Sequence, residues 1–525
     1  MHNFCRILAF YSVIYSITCL DCQKLTSVAK NYSWPDDSGN PQQFKPINNR
    51  TCQWDITVPT DSYITLTLVG KFNNYDTFTI TDSSGLPYQW ELLNNRSQKY
   101  YLPAGVNSLS LQCLPGSSYN STISISVNYY KLPITAPKPY QIDSNTKPFL
   151  LRENDSYNQP ITINRTEADK YFTISAASTA SDMLPLASYM VYDGDSILGR
   201  PLGSLFFYAQ LRLFPFVSFT QTVTLVNLDN SSPTVLLINL RENFGNISTH
   251  FFLWWGSDQG SWITQITSTR NGPGAITLYR PNGDTEFVGD FSFTEISGAA
   301  SFKILDGPPL KQMNNSLYIY RQDMDIKSYW PIRLDGVLNT YLAENSTVTV
   351  DFEYGKDTNA LFTKPIIGRK GFLASQNSYI TSGRNRSITF EDGNKSRFNF
   401  LVSNTRVNFD NSSKGGSLIV TINDVDIHNN IFMKQQISLN SSKSDIELLV
   451  NASGYSMEID YIESPNHNSD FYFQFEFGKP TIFGPEINYT TQSLDYTTQS
   501  LKFSDKNINV LILPLMIIMQ LLLLF

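Results

Sequence analysis

The feature that most constrains the fold is an alternation of apolar and polar residues between Asn49 and Gly85. Trp54, Ile56 and Val58 alternate with polar residues, and two further runs, 63–69 and 76–82, repeat the pattern. A period of two places every second side chain on the same face of a β-strand. The stretch therefore predicts three short strands of a sheet that buries one face, separated by turns at Pro59, Gly70 and Gly85.

Strand-rich runs of this kind recur along the whole chain. Aromatic and β-branched endings at 126–130, 251–255, 350–355 and 471–478 lie about 110 residues apart, the length of one β-sandwich. Between the two ends of the chain, no stretch keeps a helical period of 3.6 over about twelve residues. The sequence predicts an all-β protein of about four tandem antiparallel β-sandwiches.

Two hydrophobic segments frame this polar chain. Met1–Cys19 has the charge and apolar core of a secretory signal peptide. Ile508–Phe525 is an apolar terminus preceded by a polar spacer, which is the signal for a glycosylphosphatidylinositol anchor. Ser504 is the predicted attachment site, with Ser500 and Asn507 as alternatives. A retained membrane helix is the competing interpretation of the same segment.

The predicted organisation follows from these patterns. Its segments are a signal peptide at 1–19, sandwiches at 22–132, 140–258, 262–356 and 366–478, a Ser/Thr-rich stalk at 479–507 and a hydrophobic tail at 508–525.

Sixteen Asn-X-Ser/Thr sequons are spread from end to end. In a chain that enters the secretory pathway, each is a predicted N-glycosylation site on a solvated surface. They are Asn31, Asn49, Asn95, Asn120, Asn154, Asn164, Asn230, Asn246, Asn314, Asn345, Asn385, Asn394, Asn411, Asn440, Asn451 and Asn488.

Catalytic and nucleic-acid functions find little support. The net charge of −7 argues against a polyanionic partner. The four histidines, His2, His250, His428 and His467, lie far apart in sequence, and no nucleophile elbow, zinc motif or phosphate-binding loop occurs. We predict a protein that is not an enzyme and uses no cofactor. An extracellular hydrolase is the third functional hypothesis, after the binding protein and the glycan coat described below.

Two motifs in the opening stretch resemble a CUB domain. They are C-x-W-x-I-x-V-P from Cys52 and D-x-F-x-I-x-D-x-x-G from Asp76, and Ala187–Gly203 is similar to the family's strand, Asp-Gly turn and strand. The resemblance is greatest to the CUB-like domains of secreted and surface nematode proteins. It implies a jelly-roll type of sandwich, an extracellular setting and a role in innate immune or stress-induced defence. Residence in membrane rafts would accompany the lipid anchor.

The family resemblance also bears on the cysteines. Cys22, Cys52 and Cys113 remain after removal of the signal peptide if cleavage falls just before Leu20. The resemblance favours a bridge between Cys52 and Cys22, with Cys52–Cys113 as the alternative. Either bridge suits the oxidising secretory pathway.

Many CUB domains hold calcium through a Glu and two Asp, and the resemblance places Asp76 and Asp82 at the two Asp positions. The upstream acidic residue is missing, because Lys71-Phe72-Asn73-Asn74 occupies its place. Two carboxylates are few for a calcium site. We expect Asp82 to cap the turn at Ser83–Gly85 instead.

Two aromatic runs, 205–208 and Trp254-Trp255, fit either an exposed ligand platform or a strand buried on both faces. The expected function is non-catalytic binding or shielding at the outer face of the plasma membrane, with an extracellular protein or glycan as ligand. The alternative is a structural glycan coat without a specific ligand.

Overall fold

The structure is a computed structural model, and it describes part of the chain. The described residues are 31–34, 42–43, 51–71, 77–90, 97–112, 122–178, 183–210, 215–218, 220–230, 233–255, 262–281, 286–295, 299–311, 316–353, 356–374, 386–394, 396–408, 416–425, 430–439, 443–462 and 470–480.

Their regular structure is almost entirely β. The strands form eight sheets, two for each successive stretch of the chain, and apolar side chains fill the space between each pair of sheets. This confirms the predicted class, tandem β-sandwiches of about four units. Pairing is antiparallel except for two parallel pairs described below.

The first sandwich contains nine strands. They are β1 (Tyr32–Trp34), β2 (Gln42–Gln43), β3 (Thr51–Val58), β4 (Ser62–Lys71), β5 (Thr77–Thr81), β6 (Pro87–Trp90), β7 (Ser97–Leu102), β8 (Gly105–Gln112) and β9 (Thr122–Lys131). One sheet has the order β1-β9-β4-β7, with β2 also on β9, and the other has the order β3-β8-β5-β6. Trp54, Ile56 and Val58 are buried between the sheets, as the alternation predicts.

The second sandwich adds short helices to its strands. Its elements are β10 (Lys138–Ile142), β11 (Phe149–Arg152), α1 (Glu153–Ser156), β12 (Ile161–Arg165), β13 (Phe172–Ser178), η1 (Leu184–Ser188), β14 (Tyr189–Asp193), β15 (Pro201–Ser204), α2 (Leu205–Gln210), β16 (Phe216–Val217), β17 (Thr222–Asn227), β18 (Thr234–Leu240) and η2 (Arg241–Phe244). The sheets have the orders β10-β12-β17-β14-β15 and β11-β18-β13-β16, and β10 pairs with β12 in parallel.

The third sandwich repeats this arrangement. Its elements are β19 (Thr249–Trp254), β20 (Trp262–Thr267), β21 (Gly274–Tyr279), β22 (Glu286–Glu295), β23 (Ser301–Asp306), β24 (Ser316–Arg321), η3 (Ile326–Tyr329), β25 (Ile332–Leu334), β26 (Leu338–Glu344) and β27 (Ser346–Glu353). The sheets have the orders β19-β21-β26-β23-β24 and β20-β27-β22-β25, and β19 pairs with β21 in parallel.

The fourth sandwich follows helix α3 (Lys356–Thr363). Its strands are β28 (Lys370–Ala374), β29 (Arg386–Glu391), β30 (Phe398–Asn408), β31 (Ser417–Val425), β32 (Ile431–Leu439), β33 (Lys443–Gly454), β34 (Ser456–Ile462) and β35 (Asp470–Gly478). The sheets have the orders β28-β35-β30-β33 and β29-β34-β31-β32.

One predicted boundary is wrong. We expected 251–255 to close the second sandwich, within 140–258, but β19 is the first strand of the third. Thr249–Trp254 pairs residue by residue with Gly274–Tyr279, and Trp255 is buried in the third core. An apolar run indicates a buried strand but does not indicate which of two neighbouring sheets it joins. The other predicted bounds stay predictions.

Consecutive sandwiches pack against each other through apolar side chains. Strand β18 is buried on both faces: Leu236 and Ile238 lie in the second core, whereas Val235 and Leu237 pack with Leu338 and its neighbours in the third sandwich. This two-sided burial explains why β18 reads as a continuous apolar run. No helix among the described residues is long and apolar enough to cross a membrane.

Candidate binding surface

Tyrosines and two charged residues cluster where the first and second sandwiches meet. We call this cluster the junction surface; its members are Tyr63, Lys99, Tyr101, Tyr130, Tyr157 and Asp229. The first four come from β4, β7 and β9 of the first sandwich, and the other two come from the second. Both sandwiches are therefore needed to assemble it.

Strand register brings the tyrosines of the first sandwich together. Tyr63 of β4 lies directly opposite Tyr130 of β9, and Tyr101 of β7 lies opposite Thr65, two residues further along β4. The Tyr63 and Tyr130 rings stack with centroids 5.4 Å apart, and the Tyr63 and Tyr101 centroids are 6.2 Å apart. Cross-strand aromatic pairs of this kind stabilise a sheet face and hold the rings in fixed orientations.

The second sandwich contributes a carboxylate to the cluster. The Tyr101 hydroxyl donates a hydrogen bond to Asp229 Oδ2, and Lys99 Nζ lies 3.3 Å from the same oxygen. The Lys99 ammonium also lies 4.9 Å from the centroid of the Tyr101 ring. The backbone N–H of Asp229 donates to Asn227 Oδ1 at 3.2 Å, which fixes the loop that carries the carboxylate.

Burial disfavours ionisation of two phenols of the cluster, Tyr63 and Tyr101. Burial, with Tyr130, Tyr157 and Asp229 nearby, raises the pKa of Tyr63 to about 12. Burial and the hydrogen bond to Asp229 raise the pKa of Tyr101. The surface therefore presents the hydroxyl groups of its tyrosines beside the Lys99–Asp229 ion pair.

Part of the cluster is open to solvent. Tyr130 is 46% exposed and Tyr157 is 39% exposed, whereas Tyr101 is buried. Tyrosine offers a large, rigid ring with a polar tip, and it is enriched at recognition surfaces for that reason. Exposed rings beside hydrogen-bonding groups suit a pyranose, whose apolar C–H face can lie on a ring while its hydroxyls bond to the polar groups. Sequence reasoning missed this surface because its residues come from five separate segments.

Asp82, one of the two calcium candidates, caps a turn. Its Oδ1 accepts hydrogen bonds from the backbone N–H of Ser84 at 3.0 Å and of Leu86 at 3.1 Å. Burial raises the pKa of this carboxyl. A Cβ atom built on Gly203 of the second sandwich would lie 3.0 Å from Asp82 Oδ2, so the carboxyl faces the neighbouring sandwich.

The second calcium candidate, Asp76, lies outside the described residues. Within the described ranges, no group of three or more His, Cys, Asp or Glu residues comes close enough to hold a metal ion.

The aromatic runs belong to the core. Residues 205–210 form helix α2 and not a strand, and Leu205, Phe206 and Phe207 are buried. The Phe206 ring lies 4.9 Å from Tyr88 and 5.6 Å from Tyr100 of the first sandwich, so this junction, and not sheet pairing, accounts for the burial. Trp255 is buried 5.4 Å from Trp262, and neither run forms an exposed platform.

The histidine that the structure describes is structural. His250 is buried, its Nε2 lies 2.8 Å from Thr277 Oγ1, and its ring packs edge-on against Phe244 at 4.9 Å. Burial lowers its pKa to about 3. His428 and His467 lie outside the described residues.

The sequons that the structure describes are mostly at the surface. Exposed members are Asn31, Asn230, Asn246, Asn345, Asn394 and Asn451; Asn164 is half-buried and Asn154 lies in α1. Asn49, Asn95, Asn120, Asn314, Asn385, Asn411, Asn440 and Asn488 lie outside the described residues.

The predicted disulfide and anchor remain predictions. The backbone of Cys52 pairs with Leu111 in the β3–β8 register, and Cys22 and Cys113 lie outside the described residues. Ser500, Ser504 and Asn507 also lie outside them.

Comparison with known families shows what the first sandwich is similar to. Residues 16–133 match the family model described as the CUB-like domain. The first sandwich lies within this match. The CUB-like match covers about a fifth of the 525-residue chain. CUB domains are typical of extracellular or secreted proteins and are generally non-catalytic binding modules. A search of curated protein sequences found no match.

Several solved structures are similar at low identity. The CUB1-EGF-CUB2 domains of human MASP-1/3 are 10% identical, covering 40% of this chain and 98% of that one, with a TM-score of 0.16. The same domains of rat MASP-1 are 9% identical, covering 40% and 96%, with a TM-score of 0.16. A triple jelly roll protein of an archaeal virus is 8% identical, covering 86% and 90%, with a TM-score of 0.11.

Proposed function

We propose that the protein is a non-catalytic, glycosylated and lipid-anchored binding protein at the outer face of the plasma membrane, and that the junction surface binds an extracellular carbohydrate. The observation that carries the proposal is the pair of exposed rings, Tyr130 and Tyr157, which lie near Tyr63 together with Asp229, the ion-pair partner of Lys99. The CUB-like match of the first sandwich, the predicted signal peptide and the predicted anchor signal support the cellular setting.

The rigidity of the site favours binding over simple coverage of the membrane. Stacking fixes Tyr63 and Tyr130, and Tyr101 is held by its hydrogen bond to Asp229. A surface that is ordered before the ligand arrives loses less conformational entropy on binding. The resemblance to nematode CUB-like proteins extends the proposal to innate immune or stress-induced defence, with microbial glycans as the first ligands to test.

A glycan coat is the second candidate function. It is favoured by the exposed sequons Asn31 and Asn230, which flank the junction surface: Asn31 Oδ1 accepts from the backbone N–H of Tyr129, and Asn230 follows Asp229. Under that function, glycans at these positions would cover the tyrosines.

The two functions differ in a binding screen. The chain secreted without residues after Pro480, where the described compact unit ends, would be applied to arrays of microbial glycans and host surface proteins. We expect a set of related glycans to be bound, and the double variant Tyr130→Ala/Tyr157→Ala to lose them. Phe251→Ala, at an aromatic residue that is exposed elsewhere, should keep them. If the secreted chain binds nothing on the arrays, either before or after its own N-glycans are removed enzymatically, the result would favour the glycan coat. Binding to host proteins alone would contradict the carbohydrate assignment.

A further inference from the structure

The four sandwiches share one strand order, so equivalent edges can be identified. In each, one sheet contains a run of four strands that begins with β3, β12, β21 or β29 and ends on β6, β15, β24 or β32, respectively; β10 and β19 precede that run in the second and third sandwiches. The facing sheet ends on β7, β16, β25 or β33. We call the edge formed by these two terminal strands, with the loop residues between them, the terminal edge of each sandwich.

The terminal edges of the first and second sandwiches cover each other. Tyr88 of β6 packs against Phe206, which follows β15, at 4.9 Å. A Cβ atom on Gly203 of β15 would come within 2.8 Å of Leu86 Cδ1, beside β6. The chain thus already contains one contact in which the same edge of two sandwiches packs together.

The third terminal edge is covered by the next sandwich. Tyr318 of β24 stacks on Phe372 of β28, with ring centroids 5.5 Å apart and an interplanar angle of 6°. Among the described residues, three of the four terminal edges therefore contact another sandwich of the chain.

The fourth terminal edge exposes apolar side chains at the start of β32, and it carries the predicted N-glycosylation site Asn451 on β33. At the start of β32, Ile431 is 57% exposed, Phe432 is 46% exposed and Met433 is 60% exposed; Leu448 of the adjacent β33 is 53% exposed. Consecutive side chains of a strand point to opposite faces, so the run presents apolar surface on both sides of this edge.

The positive charge of Lys434, the next residue after this apolar run, does not point outward where it would oppose association. Lys434 Nζ lies 3.2 Å from Asp424 Oδ2 and donates to the backbone oxygen of Ser453 at 2.6 Å. The ammonium is thus directed back onto its own sandwich. Natural edge strands are usually protected from association by exposed charge, proline or a covering segment.

We propose that this edge binds the same edge of a second copy of the chain, so that the fourth sandwiches of two molecules pack about a two-fold axis. The first and second sandwiches supply the precedent for same-edge packing, and an isologous contact needs only one self-complementary patch. Pairing would remove Ile431, Phe432 and Met433 from water. The proposal does not depend on the ligand of the junction surface.

The first test is association of the purified full chain in detergent, measured by sedimentation velocity over a range of concentrations. We expect a monomer–dimer equilibrium. The double variant Phe432→Asp/Met433→Asp should raise the dimer dissociation constant at least about tenfold, because the pairing would bury unpaired charge. The matched control is Ile263→Asp, at a residue 65% exposed on the edge strand β20, and it should associate as the wild type does. A chain that stays monomeric, or a dimer that the double variant forms unchanged, would overturn the proposal.

The second test does not depend on the stability of the charged variant. Single cysteines would replace Ile431, Phe432 or Met433 in turn, and a mixture of ¹⁴N- and ¹⁵N-labelled chains would be treated with a short bismaleimide. A residue near a two-fold axis lies close to the same residue of the other molecule. We therefore expect cross-links between identical cysteine positions, with one peptide labelled with ¹⁴N and the other with ¹⁵N. Linkage of these cysteines only to other segments, or no linkage between chains, would overturn the proposed geometry.

Discussion

Replacement of His250 by glutamine tests how burial couples the third sandwich to pH. Within the described residues, His250 Nδ1 has no hydrogen-bond partner, and Nε2 meets only the neutral hydroxyl of Thr277. Protonation would place a charge in this core without a carboxylate to balance it, and burial lowers the pKa to about 3. Glutamine does not titrate and can keep a bond to Thr277.

The size and sign of the effect follow from proton linkage. An unfolded histidine binds a proton below about pH 6.5, whereas folded His250 binds one only near pH 3. Between these two pH values the unfolded state binds one more proton than the folded state. The free energy of unfolding therefore falls by about 1.4 kcal/mol for each unit that the pH falls. From pH 7 to pH 5 the third sandwich should lose about 2 kcal/mol through this residue.

Hydrogen–deuterium exchange of peptides from β19 and β21 measures this loss locally. At each pH, wild type and His250→Gln have the same intrinsic exchange rates outside position 250 and its neighbours. The ratio of their measured exchange rates therefore gives the difference in opening free energy between the two proteins. We expect the wild type to lose about 2 kcal/mol more than the variant between pH 7 and pH 5. Equal losses, or an imidazole that titrates near pH 6.5 in NMR spectra of the folded chain, would refute the reasoning.

Three further predictions concern the junctions and the anchor. Gly203→Ala should destabilise the contact between the first two sandwiches by about 1–3 kcal/mol, measured by urea unfolding, because its Cβ would meet Leu86 and its φ is +109°. Gly85→Ala, with a φ of +86° and open space around the Cβ, is the control and should cost less. Leu237→Ala should cost about 2–5 kcal/mol locally and speed exchange in Leu338–Glu344, because Leu338 packs in the same apolar cluster across the next junction; unchanged exchange there would contradict the packing. Phosphatidylinositol-specific phospholipase C should release the full chain from cells, and a retained chain with its apolar C-terminal segment intact would contradict the anchor.

Local alternation was sufficient to predict the class of fold. Trp54, Ile64 and Phe78 are buried between two sheets because each lies on the apolar face of its own strand. That information is contained within a few neighbouring residues, and antiparallel sandwiches need little more to be recognised.

Contacts between sandwiches were not predictable in the same way. The run at 205–208 fitted either an exposed platform or a strand buried on both faces, yet it lies in a helix whose burial comes from Tyr88 and Tyr100 of another sandwich. Strand β19 was assigned to the wrong sandwich because its apolar residues serve two cores. Both outcomes depend on how whole sandwiches pack, which a local pattern does not encode.

The junction surface illustrates the same limit at the candidate site. Tyr63 and Tyr130 stand on outward positions of alternating strands, which the sequence does indicate. The partner Asp229 arrives from the next sandwich, about 100 residues further along the chain than Tyr130. Only the packed arrangement places a carboxylate beside the rings.

The most direct test of the account is the affinity of the secreted chain for its best array glycan, measured by surface plasmon resonance for wild type and Tyr130→Ala/Tyr157→Ala. If the exposed tyrosines form the binding site, the dissociation constant should rise at least about tenfold, since truncating a central tyrosine at a recognition surface commonly costs more than 1 kcal/mol. Phe251→Ala should leave it unchanged. Equal affinities of the wild type and the double variant, with both proteins folded, would contradict the assignment of binding to the junction surface.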